Sequence, residues 1–324
     1  MRRSLIAGIG SCVPEREVFN DDFVQYCDTS DEWIRQRTGI VSRRFVSEGE
    51  YTTDLAVGAA RNAIGMAGIE VDEIDMVIVA TCTPELTAPA TASLVQRQLG
   101  MTRGAAFDLN AGCTGFIYGM ATADNFIKGG QANTVLVIGA ETLSRCLDLS
   151  DRTSCVLFGD GAGAMVVRGA NGNGDLGDRG ILTTHIHSDG RYWDDVYLDG
   201  GVSRSQSAGA PRIPDGPRLF RHAVEGMSEA YLEALEATGL GNKDIDFLVP
   251  HQANQRIIES TGKKLGLDVD RVLSTIDHHG NTSAASIPLA LDETVRAGRV
   301  SEGDMILMVA FGSGLTWGSA IMRW

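Results

Sequence analysis

The sequence predicts an α/β fold in which one unit is used twice. Three observations carry that reading. Strands of five to seven apolar, β-branched residues alternate with longer helical patterns, the mark of α/β layering with mostly parallel central strands. Pieces of the first half return in the second half in the same order, which favours duplication over chance likeness. Finally, 324 residues with 43% hydrophobic and 22% charged content, 39 Gly and only 8 Pro describe an ordinary globular chain with room for a large core.

Taken in order, the helical pattern 53–67 closes on Gly68-Ile69 and leads through Ile74-Asp75 into the apolar run Met76-Val-Ile-Val79. That is helix, turn and buried strand. A second helix spans 113–129, followed by the strand Thr134–Ala140 and the glycine-rich Asp160–Arg168. From Gly190 to Gly216 the chain carries Gly, Ser, Pro and charge without a period, so it reads as a long excursion of the kind that shapes a site. The pattern then restarts. Helix 217–238 contains Ala234 and closes on Gly239-Leu240, and Ile245-Asp246 leads into Phe247-Leu-Val249, each 171 residues after its counterpart. Helices 252–265 and 283–297 follow, the strand Met305–Phe311 answers Thr134–Ala140, and Gly314–Arg323 answers Asp160–Arg168. The expected division is therefore 1–170 and 171–324.

Forty-two acidic against 28 basic residues leave a net charge of −14, which opposes nonspecific binding to nucleic acid or to an anionic membrane, so neither is expected as a partner. The longest apolar runs fall far short of the roughly 20 residues of a bilayer span. The basic start Met1-Arg-Arg breaks on glycines and meets Pro14 and Glu15, unlike a signal peptide, so a cytoplasmic location is expected. The six cysteines lack paired C-x-x-C spacing, and reduced thiols are the default.

All six cysteines lie at or before Cys155 and all six histidines at or after His185, so a Cys–His site must be assembled from both halves. Cys113 sits between Gly112 and Gly115 at the start of a helix, where free backbone N–H groups favour a thiolate and can hold an oxyanion. An arbitrary cysteine is more often small core filler, the reading given to Cys12, Cys27, Cys146 and Cys155. Cys82, just past a strand, is the nearest rival. His251 follows the buried strand Phe247–Pro250 and opens the helix beginning at Gln252, at a strand's carboxyl end where α/β proteins place ligands. Asn281 occupies in the second half the place that Cys113 holds in the first, although a helix N-cap is the plainer role for an asparagine. Together the three supply a nucleophile and two neutral hydrogen-bond donors.

These residues sit within Asp28–Ile34 with Arg37–Ile40, Ala111–Phe116, Asp151-Arg152, Phe158–Gly163, Pro250–Asn254, His279–Ser286 and Thr316–Ser319. Seven motifs in register over nearly the whole chain resemble β-ketoacyl-acyl carrier protein synthase III. The resemblance implies the thiolase-like five-layered αβαβα fold built from two duplicated halves, a homodimer, and a decarboxylative condensation of an acyl-CoA primer with malonyl-acyl carrier protein. Cys113 would carry the acyl group, with the oxyanion held by backbone N–H groups of Cys113 and Ser313. His251 and Asn281 would donate to the malonyl thioester. Trp33 and Arg152 resemble the pair that sandwiches the CoA adenine, Arg37 the residue near its phosphates, and Asn254 a further CoA contact. Arg256, Lys263 and Lys264 share one helix face, a cationic patch suited to an acidic carrier protein although solvated lysines are common. The chain departs from the family pattern at Ile213–Phe220.

No cofactor is implied, and no metal: no Cys/His ligand spacing is present, and His278 and His279, being adjacent, cannot both face one ion from a strand. Ala88 stands where acetyl-selective relatives usually carry a phenylalanine that closes the partner's acyl pocket, so a longer pocket is expected here. Two other readings remain at this level: a related ketosynthase or acyltransferase of secondary metabolism with a non-malonyl acceptor, and a silent scaffold paralogue, which has no need for all three of Cys113, His251 and Asn281. With no cysteine after Cys155, a thiolase with its second cysteine is disfavoured.

Overall fold

The computed structural model describes residues 1–205 and 209–324. In the first half β1 (Arg2–Cys12) precedes a small ribbon, β2 (Glu17–Phe19) and β3 (Ser42–Arg44), which brackets α1 (Asp31–Thr38). There follow α2 (Thr52–Ala67), β4 (Met76–Ala80), α3 (Thr91–Leu99), β5 (Ala105–Leu109), α4 (Gly115–Lys128), β6 (Thr134–Glu141) and β7 (Gly161–Asn171). The second half runs β8 (Gly180–Ser188), a second ribbon of β9 (Tyr197–Leu198) and β10 (Pro211–Arg212), and α5 (Gly216–Thr238). It ends with β11 (Phe247–Pro250), α6 (Gln255–Leu265), α7 (Ile276–His279), α8 (Ser286–Arg296), β12 (Met305–Gly312) and β13 (Thr316–Arg323).

The duplication is explicit in the sheets. One has the order β1-β7-β6-β4-β5 and the other β8-β13-β12-β11, so corresponding strands occupy corresponding places. In place of a fifth strand, Val272 makes an isolated parallel bridge to Leu248. The sheets are mixed, which corrects the expectation of mostly parallel strands. Among the strands of the described residues, β4 pairs in parallel with β5 and β6, and β11 with β12, whereas β7 and β13 run against both of their neighbours. The apolar runs of β6 and β12 are buried along their whole length, and a strand buried on both faces carries no sign of its neighbour's direction.

Three hydrophobic cores make five layers. Leu55 and Ile64 of α2 and Val95 of α3 cover the outer face of the first sheet. Met227 and Tyr231 of α5 with Ile257 and Leu265 of α6 cover the outer face of the second. Between the sheets, Phe116, Ile117 and Met120 of α4 and Ile287 and Leu291 of α8 are almost fully buried. Each such side chain contributes on the order of 1.5–3 kcal/mol of transfer free energy. Gly139 in β6 is required by the close packing of this layer, since a Cβ there would run into the backbone carbonyl of Ala284. The turn entering α8 is thereby drawn against the first sheet, beside the turn entering α4. Among the described residues no helix is long and apolar enough to cross a membrane.

Candidate active site

Cys113 stands where β5 hands over to α4. Gly112, at φ 53°, turns the chain into the 3-10 turn Gly112–Thr114, which runs straight into the helix. That turn is fastened to the second half by Thr316, whose hydroxyl lies 3.0 Å from each of Ala111 O, Thr114 Oγ1 and Ser313 O. Gly312 makes the approach possible: a Cβ on it would sit 2.7 Å from the Cys113 nitrogen. Cys113 and Ser313 consequently border the same space from opposite halves.

Asn281 follows Gly280, whose φ of 64° mirrors that of Gly112. Its N–H donates to Leu157 O at 2.8 Å and its own carbonyl accepts from Gly159 N at 3.0 Å, a short parallel bridge that fixes the turn. The side-chain Oδ1 accepts from Ser283 N at 2.9 Å, leaving Nδ2 without a protein acceptor among the described residues. Asn281 is therefore no N-cap of α8, which begins five residues later.

His251 is held by its own N–H on Val309 O at 2.8 Å and by Nδ1 at 2.7 Å from Ser286 Oγ. Gln252 N–H donates to the same Ser286 oxygen at 3.3 Å, and in the tautomer whose Nδ1 accepts the Ser286 hydroxyl hydrogen the neutral ring carries its proton on Nε2. The helix does not start at Gln252 as expected. It starts at Gln255, capped by Asn254, whose Oδ1 accepts from Arg256 N at 2.9 Å, while Gln252 points inward to Pro250 O and Leu273 O.

Burial governs the charges. It drives the His251 pKa down to about 3, so the ring is neutral throughout the physiological range. It also pushes the Cys113 thiol up to about 11, opposed by the Ser283 hydroxyl and assisted by the Glu141 carboxyl. The sequence predicted a thiol lowered by its helix terminus. Removal from water outweighs that effect, and the resting group is a thiol. Burial also raises Cys82, the rival, well above the ordinary thiol value, and its Sγ donates to Glu141 Oε1 at 3.2 Å. All six cysteines are free.

A cavity of about 650 Å³ brings together Cys113, His251, Asn281 and Ser313 with Trp33, Arg37, Arg152, Asn254 and Arg256. At its mouth the Arg152 guanidinium lies 5.1 Å and that of Arg37 5.8 Å from the Trp33 ring centroid. A planar ring between two such groups needs two stacking separations, roughly 7 Å, more than the gap that Arg152 leaves over Trp33. Arg256 lines this mouth, and Lys263 and Lys264 are exposed farther along α6, all three without an acidic partner among the described residues. Behind Cys113 a second cavity of about 260 Å³ is walled by Cys82, Leu143, Trp193, Val196, Tyr197 and Leu198 among others. The aperiodic stretch 190–216 thus contains a ribbon and lends Trp193 and Tyr197 to this wall. Ala88 is exposed and lines neither cavity of the single chain.

Three supporting residues escaped the sequence reading: Ser286 behind His251, Thr316 behind Cys113, and Glu141. The last is fully buried and accepts from Cys82 N at 3.1 Å, Thr83 N at 3.1 Å and Thr83 Oγ1 at 2.6 Å, so it organises the turn after β4. Only the apolar strand ending on a carboxylate, Val-Ile-Gly-Ala-Glu141, marked it in the sequence.

Residues 107–190 match the family profile described as 3-oxoacyl-[acyl-carrier-protein (ACP)] synthase III, and residues 235–324 match that of its C-terminal part. A relative from Rhodospirillum centenum named β-ketoacyl-[acyl-carrier-protein] synthase III is 58% identical over 322 residues, 99% of each chain. The chain belongs to the β-ketoacyl-acyl carrier protein synthase III family. A member of that name from Rhodospirillum rubrum is 55% identical over the whole of both chains. Among solved structures, the synthase III of Aquifex aeolicus superposes with a TM-score of 0.92 at 44% identity, covering 99% of this chain and 100% of that one. The priming β-ketosynthase of the R1128 polyketide pathway matches with the same TM-score at 37% identity, over 99% and 96%. The thiolase-like five-layered fold expected from the motifs is therefore present, and the chain is a condensing enzyme of the synthase III family.

Proposed function

We propose that the chain condenses an acyl-CoA primer with malonyl-acyl carrier protein, releasing CoA and CO₂ and giving a 3-oxoacyl-acyl carrier protein, the opening step of fatty acid synthesis. The Cys113 sulfur attacks the primer thioester. The tetrahedral oxyanion is held by the N–H groups of Cys113 and Ser313, and the thiol proton ends on departing CoA, so the exchange needs no resting thiolate. Trp33, Arg37, Arg152 and Asn254 hold the CoA, and the acyl chain runs into the smaller cavity. His251 Nε2–H and Asn281 Nδ2–H then donate to the carbonyl of the malonyl thioester. Loss of CO₂ leaves an enolate, which attacks the acyl-Cys113 carbonyl and expels the sulfur as a thiolate, and a proton from solvent restores the resting thiol.

What supports this reading above all is that a thiol of one half and two neutral donors of the other line one cavity, its mouth framed by an indole and three arginines. Neutral donors suit an enolate because they stabilise the developing charge without protonating it. Arg256, Lys263 and Lys264, which have no acidic partner among the described residues, serve the carrier protein, and a homodimer brings Ala88 of one copy to the acyl channel of the other. No metal or redox group takes part in these steps.

The test is incubation with a panel of acyl-CoAs, reading the mass gained by the intact protein and its position, then adding malonyl-acyl carrier protein. Acyl groups longer than acetyl are expected to load on Cys113 with the higher kcat/KM, and Ala88→Phe to return the preference to acetyl. No acylation by any CoA would end the enzymatic reading, and acetyl ranking first would end the one for Ala88.

A further inference from the structure

Just before the Asn281 turn, α7 and α8 bring together three side chains that the reaction does not use. The expectation that adjacent histidines cannot share an ion assumed a strand, but His278 and His279 stand in the helical turn of α7. There His278 Nε2 lies 2.9 Å and His279 Nε2 3.1 Å from the same atom, Glu293 Oε2. One donor atom from each of the three residues lies within 4.8 Å of the others.

We propose that His278, His279 and Glu293 form a binding site for a divalent transition-metal ion of the zinc and cobalt class. Two imidazole nitrogens and a carboxylate oxygen are the donor set such ions take. Tetrahedral bonds of 2.0–2.1 Å set neighbouring donors roughly 3.3 Å apart, so the two N···O separations need only small adjustment to admit an ion. An outer carboxylate is also in place: Asp277 Oδ1 sits 2.7 Å from His278 Nδ1, where it holds the proton on that nitrogen and turns the Nε2 lone pair toward the metal. On His279 the Nδ1 is buried without a partner among the described residues, and Nε2 is the ring nitrogen directed at Glu293. His278 and Glu293 are 39% and 48% exposed, which leaves water to complete the coordination. The ion replaces the two hydrogens that the imidazoles now direct at Glu293 Oε2: the one on His278 passes to solvent, and the one on His279 moves to its Nδ1. A second group, His185 and His187 on Glu233, is less suited because its imidazoles contact different carboxylate oxygens, at 3.2 and 2.6 Å.

The test uses the full chain, stripped with a chelator and with its thiols alkylated so that cysteines do not compete, titrated with CoCl₂ and with ZnCl₂ at neutral pH. One ion per chain is expected, with a visible Co²⁺ spectrum that Zn²⁺ displaces. His278→Ala and Glu293→Gln should each weaken binding by at least roughly tenfold. Wild type that binds no ion, or variants that bind as tightly as wild type, would overturn the assignment. So would an ion retained in both variants and lost in Glu233→Gln. If the variants do not fold, the wild-type imidazole ¹⁵N resonances decide: those of His278 and His279 move with one equivalent of Zn²⁺ if the site is real and stay fixed if it is not.

Discussion

The turn that carries Cys113 and the turn that carries Asn281 are built alike and end in different chemistry. Each has a glycine at positive φ, Gly112 or Gly280, and a 3-10 turn, Gly112–Thr114 or Ser283–Ala285, that leads into a helix of the central layer. Both helices are clasped between the same two sheets. In the first half the position after the glycine is a thiol beside the Ser313 backbone; in the second it is an amide with one end tied to Ser283 N. Burial acts on both sides of the cavity but with opposite consequences, raising the acid Cys113 to about 11 and lowering the base His251 to about 3. Both groups thus rest uncharged. Duplication supplied two helix starts aimed at one space, and the side chain placed on each decides which is attacked and which steadies charge.

The comparison breaks most plainly if the first turn loses its sulfur. Cys113→Ser is expected to lower acylation and condensation by on the order of 10³-fold or more, since a hydroxyl is a far weaker nucleophile, and single-turnover assays measure it. Condensation at the wild-type rate would remove Cys113 from the account. The resting thiol gives the next largest effect. With its pKa raised from 9.0 to about 11, Cys113 is mostly neutral below that value. Its alkylation by iodoacetamide, followed on the Cys113 peptide, should then climb about tenfold per pH unit from about pH 8 to about pH 10. A plateau reached by neutral pH would mean a preformed thiolate and a first turn unlike the one described. A smaller effect sharpens the contrast between halves. Arg256→Glu, on the second-half helix, should raise the KM for malonyl-acyl carrier protein roughly tenfold at low salt, and less at high salt, while acyl-CoA loading stays within a factor of about two. Unchanged carrier kinetics at low salt would make the cationic face ordinary solvated surface.

Much of this was legible in the sequence because it is local. Apolar runs such as Met76–Val79 and Met305–Phe311 announce buried strands, and Gly112 and Gly280 frame the two turns at equivalent places in the repeat. The order of motifs did the rest, naming Cys113, His251 and Asn281 before any coordinate. What the sequence hid depends on distant partners. Ser286 matters because it meets His251 across 35 residues, and Thr316 because it meets Ala111 across 205. The direction of the Cys113 shift was misread for the same reason, since the helix start is visible in a local window and the surrounding apolar layers are not. Strand direction was misread because β7 returns antiparallel to β6 after the winding stretch between Glu141 and Gly161, which carries no periodic signal. His278 and His279 were expected in a strand, whereas they stand in a helical turn that points both rings at Glu293.

The central claim is that the first half holds the acyl group while the second half makes the nucleophile that takes it. The measurement that meets it most directly is the intact mass of Asn281→Ala and His251→Ala after acyl-CoA, and again after malonyl-acyl carrier protein. Both variants are predicted to reach the full acyl mass at near the wild-type rate. They should then keep it, discharging about 10²- to 10³-fold more slowly than wild type because a donor to the enolate oxygen is missing. A variant that discharges its acyl group as fast as wild type, or that fails to acylate while decarboxylating the malonyl thioester normally, would contradict the division of labour between the two halves.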